Sequence, residues 1–154
     1  IADGSDGWMQ ICPDAHNAYV EAVDKKHGGK VKPLIRFIKA WKFFREVPIK
    51  SFYLEMRVAK YADGESAIVY DIDVKNILTM LRDNQLAALQ DPMGIDGYIY
   101  PCKTAAFKQD ALSKLNTAAT RAEKARSATL NSDIKDAFDW WKLLYNDQFP
   151  NYYL

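Results

Sequence analysis

The stretch PLIRFIKAWKFFREVPIKSFYLEMRVA, residues 33–59, limits the fold more than any other part of the chain. Leu34, Phe37, Ile38, Trp41 and Phe44 fall on one broad face of a helical wheel, while Lys32, Arg36 and Lys39 fall on the other with Phe43 among them. The spacing predicts a helix over about 33–46. Val47-Pro48 ends it, because proline biases its predecessor away from helical dihedrals. Ser51 is placed to cap a third helix over about 52–61, with Phe52, Met56 and Ala59 inward. Two amphipathic helices joined at a proline need further helices to cover their apolar faces.

The rest of the chain supplies them. Residues 1–13 read as an irregular lead-in ending at Cys12-Pro13, and the first helix runs from there to Gly28-Gly29. Ala62-Asp63-Gly64-Glu65 is a turn. A fourth helix fits 72–89, with Ile77, Leu78 and Leu81 inward. The Gly- and Pro-containing segment DPMGIDGYIYPCK, 91–103, reads as an ordered loop. A fifth helix fits 104–129, where Ala111, Leu115, Ala118, Ala122 and Ala125 recur at 4-3-4-3 spacing and make a narrow seam for close backbone approach. A last helix starts near Ser132-Asp133, with Ile134, Ala137, Phe138, Trp141 and Leu144 inward, and ends before Phe149-Pro150. The expected class is all-α, a compact bundle of five or six helices in a single domain over 1–154.

Charge is distributed unevenly. Residues 25–50 hold nine of the 21 Lys and Arg residues and one of the 20 acids, Glu46, although the net charge is +1. Near-neutrality argues against wholesale coating of nucleic acid, so any polyanion site is local. No apolar run approaches the ~20 residues needed to span a bilayer, and no segment resembles a signal peptide; a cytoplasmic chain with no membrane partner is expected. Cys12 and Cys102 form no zinc or redox pattern and read as reduced thiols.

Several chemistries lack a pattern. Asp71 and Asp73 have the D-x-D spacing of metal-binding carboxylates, but YDIDVKNILTML reads as a helix start, where acids favour the helix dipole. His16 and His27 lack ligand spacing and read as solvent-facing or satisfied. No phosphate-loop motif and no nucleophile–base pattern is present, so catalytic and metal-ligating residues are both expected to be absent. The remaining constellation suits a multiply charged anion. Lys39 projects from the polar side of its helix, Ser51 heads the next, and Lys50 adjoins it. Backbone N–H groups and a hydroxyl at a helix N-terminus hold phosphate oxygens well.

PLIRFIKAWKFFREVPIKSFYLEMRVAKYA resembles the helical C-terminal half of nucleotidyltransferases related to oligoadenylate synthetase and cyclic GMP-AMP synthase. It is most similar to the bacterial CD-NTases, which make cyclic oligonucleotide signals in anti-phage defence. GWMQICPDAH with Trp8, Pro13 and His16, the DPMG loop at 91–94 and the terminal WWKLLYNDQFPNY match in the expected order. The resemblance implies that Lys39 and Ser51 reach the triphosphate of a bound nucleotide such as ATP. It also implies that the family's catalytic carboxylates and two magnesium ions belong to an N-terminal catalytic half before Trp8. Gly4-Ser5 is not the family's Gly-Ser motif, and Asp71 and Asp73 lie on the wrong side of the helical block. The implied function is one wall of the active cleft, binding a nucleoside triphosphate, with no activity alone. Tyr98 and Tyr100 are candidates to approach a base. The alternatives are a non-catalytic helical module gripping RNA, DNA or an acidic protein through the 25–50 face, or a scaffold with no ligand.

Overall fold

A computed structural model describes residues 13–95 and 97–148. Gly4-Ser5, Trp8, Cys12 and Phe149-Pro150, on which expectations above rest, lie outside the described residues. The described residues form an all-α bundle of six helices: α1 (Pro13–Lys26), α2 (Val31–Phe44), α3 (Ser51–Asp63), α4 (Tyr70–Asp83), α5 (Ala105–Leu130) and α6 (Ile134–Leu144). Between α4 and α5, β1 (Leu89–Gln90) and β2 (Tyr98–Ile99) pair antiparallel, with Leu89 opposite Ile99. This small ribbon lies within and beside the segment expected to be a loop.

Each helix begins and ends where local chemistry permits. Pro13 opens α1, whose first turn needs no N–H donors. Gly28 and Gly29 stop it with φ of 65° and 84°. A Cβ on either glycine would meet nothing within 4 Å, so the left-handed backbone and not crowding selects glycine. The N-cap of α2, Lys30, makes no side-chain cap. Asp24 of α1 takes over, accepting from the N–H groups of Val31 and Lys32 at 2.9 Å each. Thr104 and Asp133 cap α5 and α6 by accepting from the N–H groups of Phe107 and Asp136.

Three expected boundaries or faces differ. α2 starts two residues before Pro33, which sits in its first turn, and stops at Phe44. α4 ends at Asp83 instead of Leu89, because Gln85 and Leu86 take positive φ, a conformation that interrupts a helix. Tyr53 Oη and Arg57 Nη2 fasten that turn by donating to the Ala87 carbonyl at 2.6 and 2.8 Å. On α6, Ala137, Trp141 and Leu144 are buried, but Ile134 and Phe138 are exposed. Both line a shallow groove with Tyr70 and Thr129 rather than the core.

The core is one cluster to which all six helices contribute. Leu34, Phe37, Ile38 and Trp41 of α2 are buried in it as their stripe requires. Each such side chain contributes about 1.5–3 kcal/mol on burial. α5 packs along α4 and α6, and Ala111, Leu115, Ala118, Ala122 and Ala125 are all buried there. Tyr145 Oη, just beyond α6, donates to the Phe37 carbonyl at 3.1 Å and ties the last helix to α2. No helix among the described residues is long and apolar enough to cross a membrane.

Candidate functional site: a lysine-lined corner at the start of α3

The α2 stripe buries its apolar side, so Lys39 and Lys42, three residues apart, share the opposite side. The turn at Pro48 folds the chain back and delivers Ser51 to the same end of the molecule. Ser51 is the first helical residue of α3, not its N-cap. Lys50 takes the cap position with an extended backbone (φ −66°, ψ 132°) and no side-chain cap. The cause lies in the β2–α5 connection. The Lys50 N–H donates to the Pro101 carbonyl at 2.8 Å, which holds Lys50 outside the helix.

That hydrogen bond also assembles the site. It docks the 100–104 segment against the head of α3 and brings Lys103 to it. Lys42, Lys50, Ser51, Lys103 and Phe107 line a cavity of about 280 Å³ with Pro48 and Ile49. Three cations from three segments face it, and among the described residues no carboxylate lines it. Burial pushes the neighbouring Cys102 thiol up, while the charges of Lys108 and Lys50 act in the opposite direction. Helix N-terminal amides, a hydroxyl and ammonium groups form a donor set for oxyanions.

Lys39 lies on the polar side of α2, as its spacing implied, but does not line this cavity. Its Nζ donates to Glu55 Oε2 at 2.6 Å, with both side chains about one-third exposed. Glu55 lies one turn along α3 from Ser51 and on the same face. Lys39 and Ser51 therefore border the same α3 surface, with Glu55 between them in function. Lys32 pairs with Glu21, so the polar side of α2 is partly neutralised along its length. A groove of about 310 Å³ between α1, α2 and α3 mixes Lys32 and Arg36 with Glu21 and Glu55.

The other expected residues have structural roles. Asp73 is buried, accepts from the Val69 N–H at 2.6 Å and takes the Tyr61 phenol. Burial, then Asp73, raises the Tyr61 pKa. Asp71 accepts from Arg126 Nη1 at 2.7 Å. The D-x-D pair thus anchors the start of α4 and its contact with α5. Among the described residues no group of three or more His, Cys, Asp or Glu side chains could hold a metal ion. The donors present do not fit the magnesium pair that the resemblance implies for the parent enzyme. His27 Nε2 bonds the Ala62 carbonyl at 2.7 Å. His16 Nε2 lies 3.1 Å from both oxygens of Asp91, and the pair is buried. Tyr98 and Tyr100 are both more than half exposed on the loop that carries Pro101.

Sequence reasoning missed Lys42, Lys103, Phe107 and Glu55. Lys42 was visible as the residue three after Lys39, and Glu55 as the residue four after Ser51. Lys103 and Phe107 had no local signal, because a long-range backbone hydrogen bond places them.

No family model matches the chain. It is 27% identical over 165 aligned positions to a probable cyclic nucleotide synthase of Bacillus cereus, an alignment covering 99% of this chain and 46% of that protein. It is 25% identical over 159 positions to a cyclic AMP-AMP-AMP synthase of an Acinetobacter strain, covering 93% of this chain and 44% of that protein. The chain spans a little under half the length of each relative. Both similarities run across almost the whole chain, and they support a relationship to the CD-NTases.

Proposed function

We propose that this chain is the helical C-terminal part of a CD-NTase-like nucleotidyltransferase and grips the triphosphate tail of a nucleoside triphosphate at the head of α3. The parent enzyme makes oligonucleotide second messengers, cyclic or linear, in anti-phage defence. A hydroxyl of one nucleotide attacks the α-phosphate of another and pyrophosphate leaves. The carboxylates and magnesium for that step belong to a catalytic half. This chain binds and orients the tail.

One observation carries the reading: a cavity lined by Ser51 and three lysines at a helix N-terminus. Ser51 donates a neutral hydrogen bond, and Lys42, Lys50 and Lys103 neutralise charge. Lys39 joins them by leaving Glu55 for a phosphate oxygen. The exchange costs little, because the Lys39–Glu55 pair is partly solvated. The names of the two relatives agree with nucleotide chemistry.

Competition between ATP and a long random oligonucleotide tests the reading. Lys39→Ala is expected to weaken ATP about tenfold and Ser51→Ala about threefold, since charged and neutral hydrogen bonds contribute about 1.5–3 and 0.5–1.5 kcal/mol. Glu55→Gln frees Lys39 and tightens ATP. If the oligonucleotide displaces ATP at far lower concentration, with a steep salt dependence, the 25–50 face is a polyanion grip and the reading fails.

A further inference from the structure

A second basic cavity lies where α2, α5 and α6 meet, on the side of α2 that Trp41 and Arg45 occupy. Its volume is about 220 Å³. Trp41, Ala118 and Leu144 form its apolar floor, and Arg45, Lys114 and Arg121 supply its polar rim. Among the described residues no carboxylate lines it.

The two arginines share one acceptor. Arg45 Nη2 and Arg121 Nη1 both donate to the Leu143 carbonyl, the second at 3.3 Å. One carbonyl in the last turn of α6 therefore serves two guanidinium groups. Arg45 Nε is buried and has no hydrogen-bond partner. Burial lowers the Arg121 pKa, and the neighbouring Arg45 charge lowers it further. Lys114 differs, because Asp110 pairs with it at 3.2 Å and its Nζ donates to the Glu46 carbonyl at 3.1 Å. Among the described residues neither arginine has a carboxylate partner.

A folded protein gains nothing by holding two like charges together over an apolar floor with a buried N–H unpaired. An anion between them removes the repulsion and fills the open donor positions. Guanidinium forks match tetrahedral oxyanions, and charge-assisted bonds of this kind are the strong ones.

We propose that the Arg45–Arg121 cavity is a binding site for a small phosphate dianion, separate from the lysine-lined corner at α3. Its occupant bridges α2 to the α5–α6 pair and is inorganic phosphate or the phosphate group of a small phosphomonoester. The site stands whether or not the corner binds nucleotides.

Titration calorimetry of the full chain with inorganic phosphate, and with glycerol 3-phosphate, at fixed ionic strength in chloride tests it. Saturable binding is expected with one or both, and the tighter of the two identifies the source. Arg121→Gln should weaken it at least about tenfold, and Arg121→Lys less. In phosphate-free chloride Arg121→Gln should melt no lower than the parent, because the repulsion from Arg45 is gone. The proposal is overturned by absence of saturable binding, by equal binding in Arg121→Gln, or by a clear drop in that variant's phosphate-free melting temperature.

Discussion

His16 and Asp91 join segments 75 residues apart in the chain through a buried contact. The Asp91 carboxylate also accepts from the Met93 and Ile95 N–H groups at 3.0 Å each. With both oxygens acting as acceptors, Nε2 of His16 is the donor. Phe52 meets the imidazole edge-to-face at 5.0 Å, next to Ser51. The pair therefore supports the wall of the α3 corner without touching its cavity. Removing the imidazole takes one hydrogen bond from the buried carboxylate, so His16→Ala should lose about 1.5–3 kcal/mol. Asp91→Ala should lose more, since it also strands two amides, and Asp91→Asn less. Urea unfolding midpoints give the order; equal midpoints for all three and the parent would remove this support role. The two residues were legible as separate matching pieces of sequence. Their contact was not, because no local pattern encodes a partner 75 positions away. Lys39 and Ser51 were legible from charge and a proline break, whereas the Glu55 pairing depends on how α2 crosses α3.

Among the elements, α5 was the most legible. Its alanine spacing gave both its extent and its buried face, since a 26-residue helix with a seam of small residues has one way to approach two neighbours. Ala122 is fully buried in that seam. Ala122→Leu should cost about 1–3 kcal/mol by overpacking. Thr120→Ala on the exposed side should change stability by less than about 0.5 kcal/mol. Chemical denaturation of both variants checks the pair, and a tolerated Ala122→Leu would show the α4–α5–α6 contact to be loose. The end of α4 was misread because Leu86 and Leu89 continue an apolar pattern while the backbone at Gln85 and Leu86 leaves the helix. Both leucines are buried regardless. Burial periodicity alone cannot separate a helix from the turn that follows it. Ile134 and Phe138 show the converse: the wheel puts both on the inward stripe, yet they are exposed on α6.

At the scale of the molecule, charge separates two readings of the basic segment. A polyanion grip needs a continuous cationic face, but Glu21 and Glu55 neutralise the middle of this one. Lys42 and Lys50, with Lys103, line a cavity at the head of α3, which suits a short, dense anion better than a long one. The composition showed the excess of cations. It could not show which of them converge, because Lys103 arrives through the Lys50–Pro101 hydrogen bond. The account therefore predicts a localised footprint. Amide chemical-shift mapping of the 154-residue chain during an ATP titration is the direct measurement. Saturating shifts confined to Lys50, Ser51, Phe52 and Lys103, with Lys39 responding, are the predicted result. Shifts spread along the polar side of α2 with none at Ser51, or no saturation at all, would contradict it.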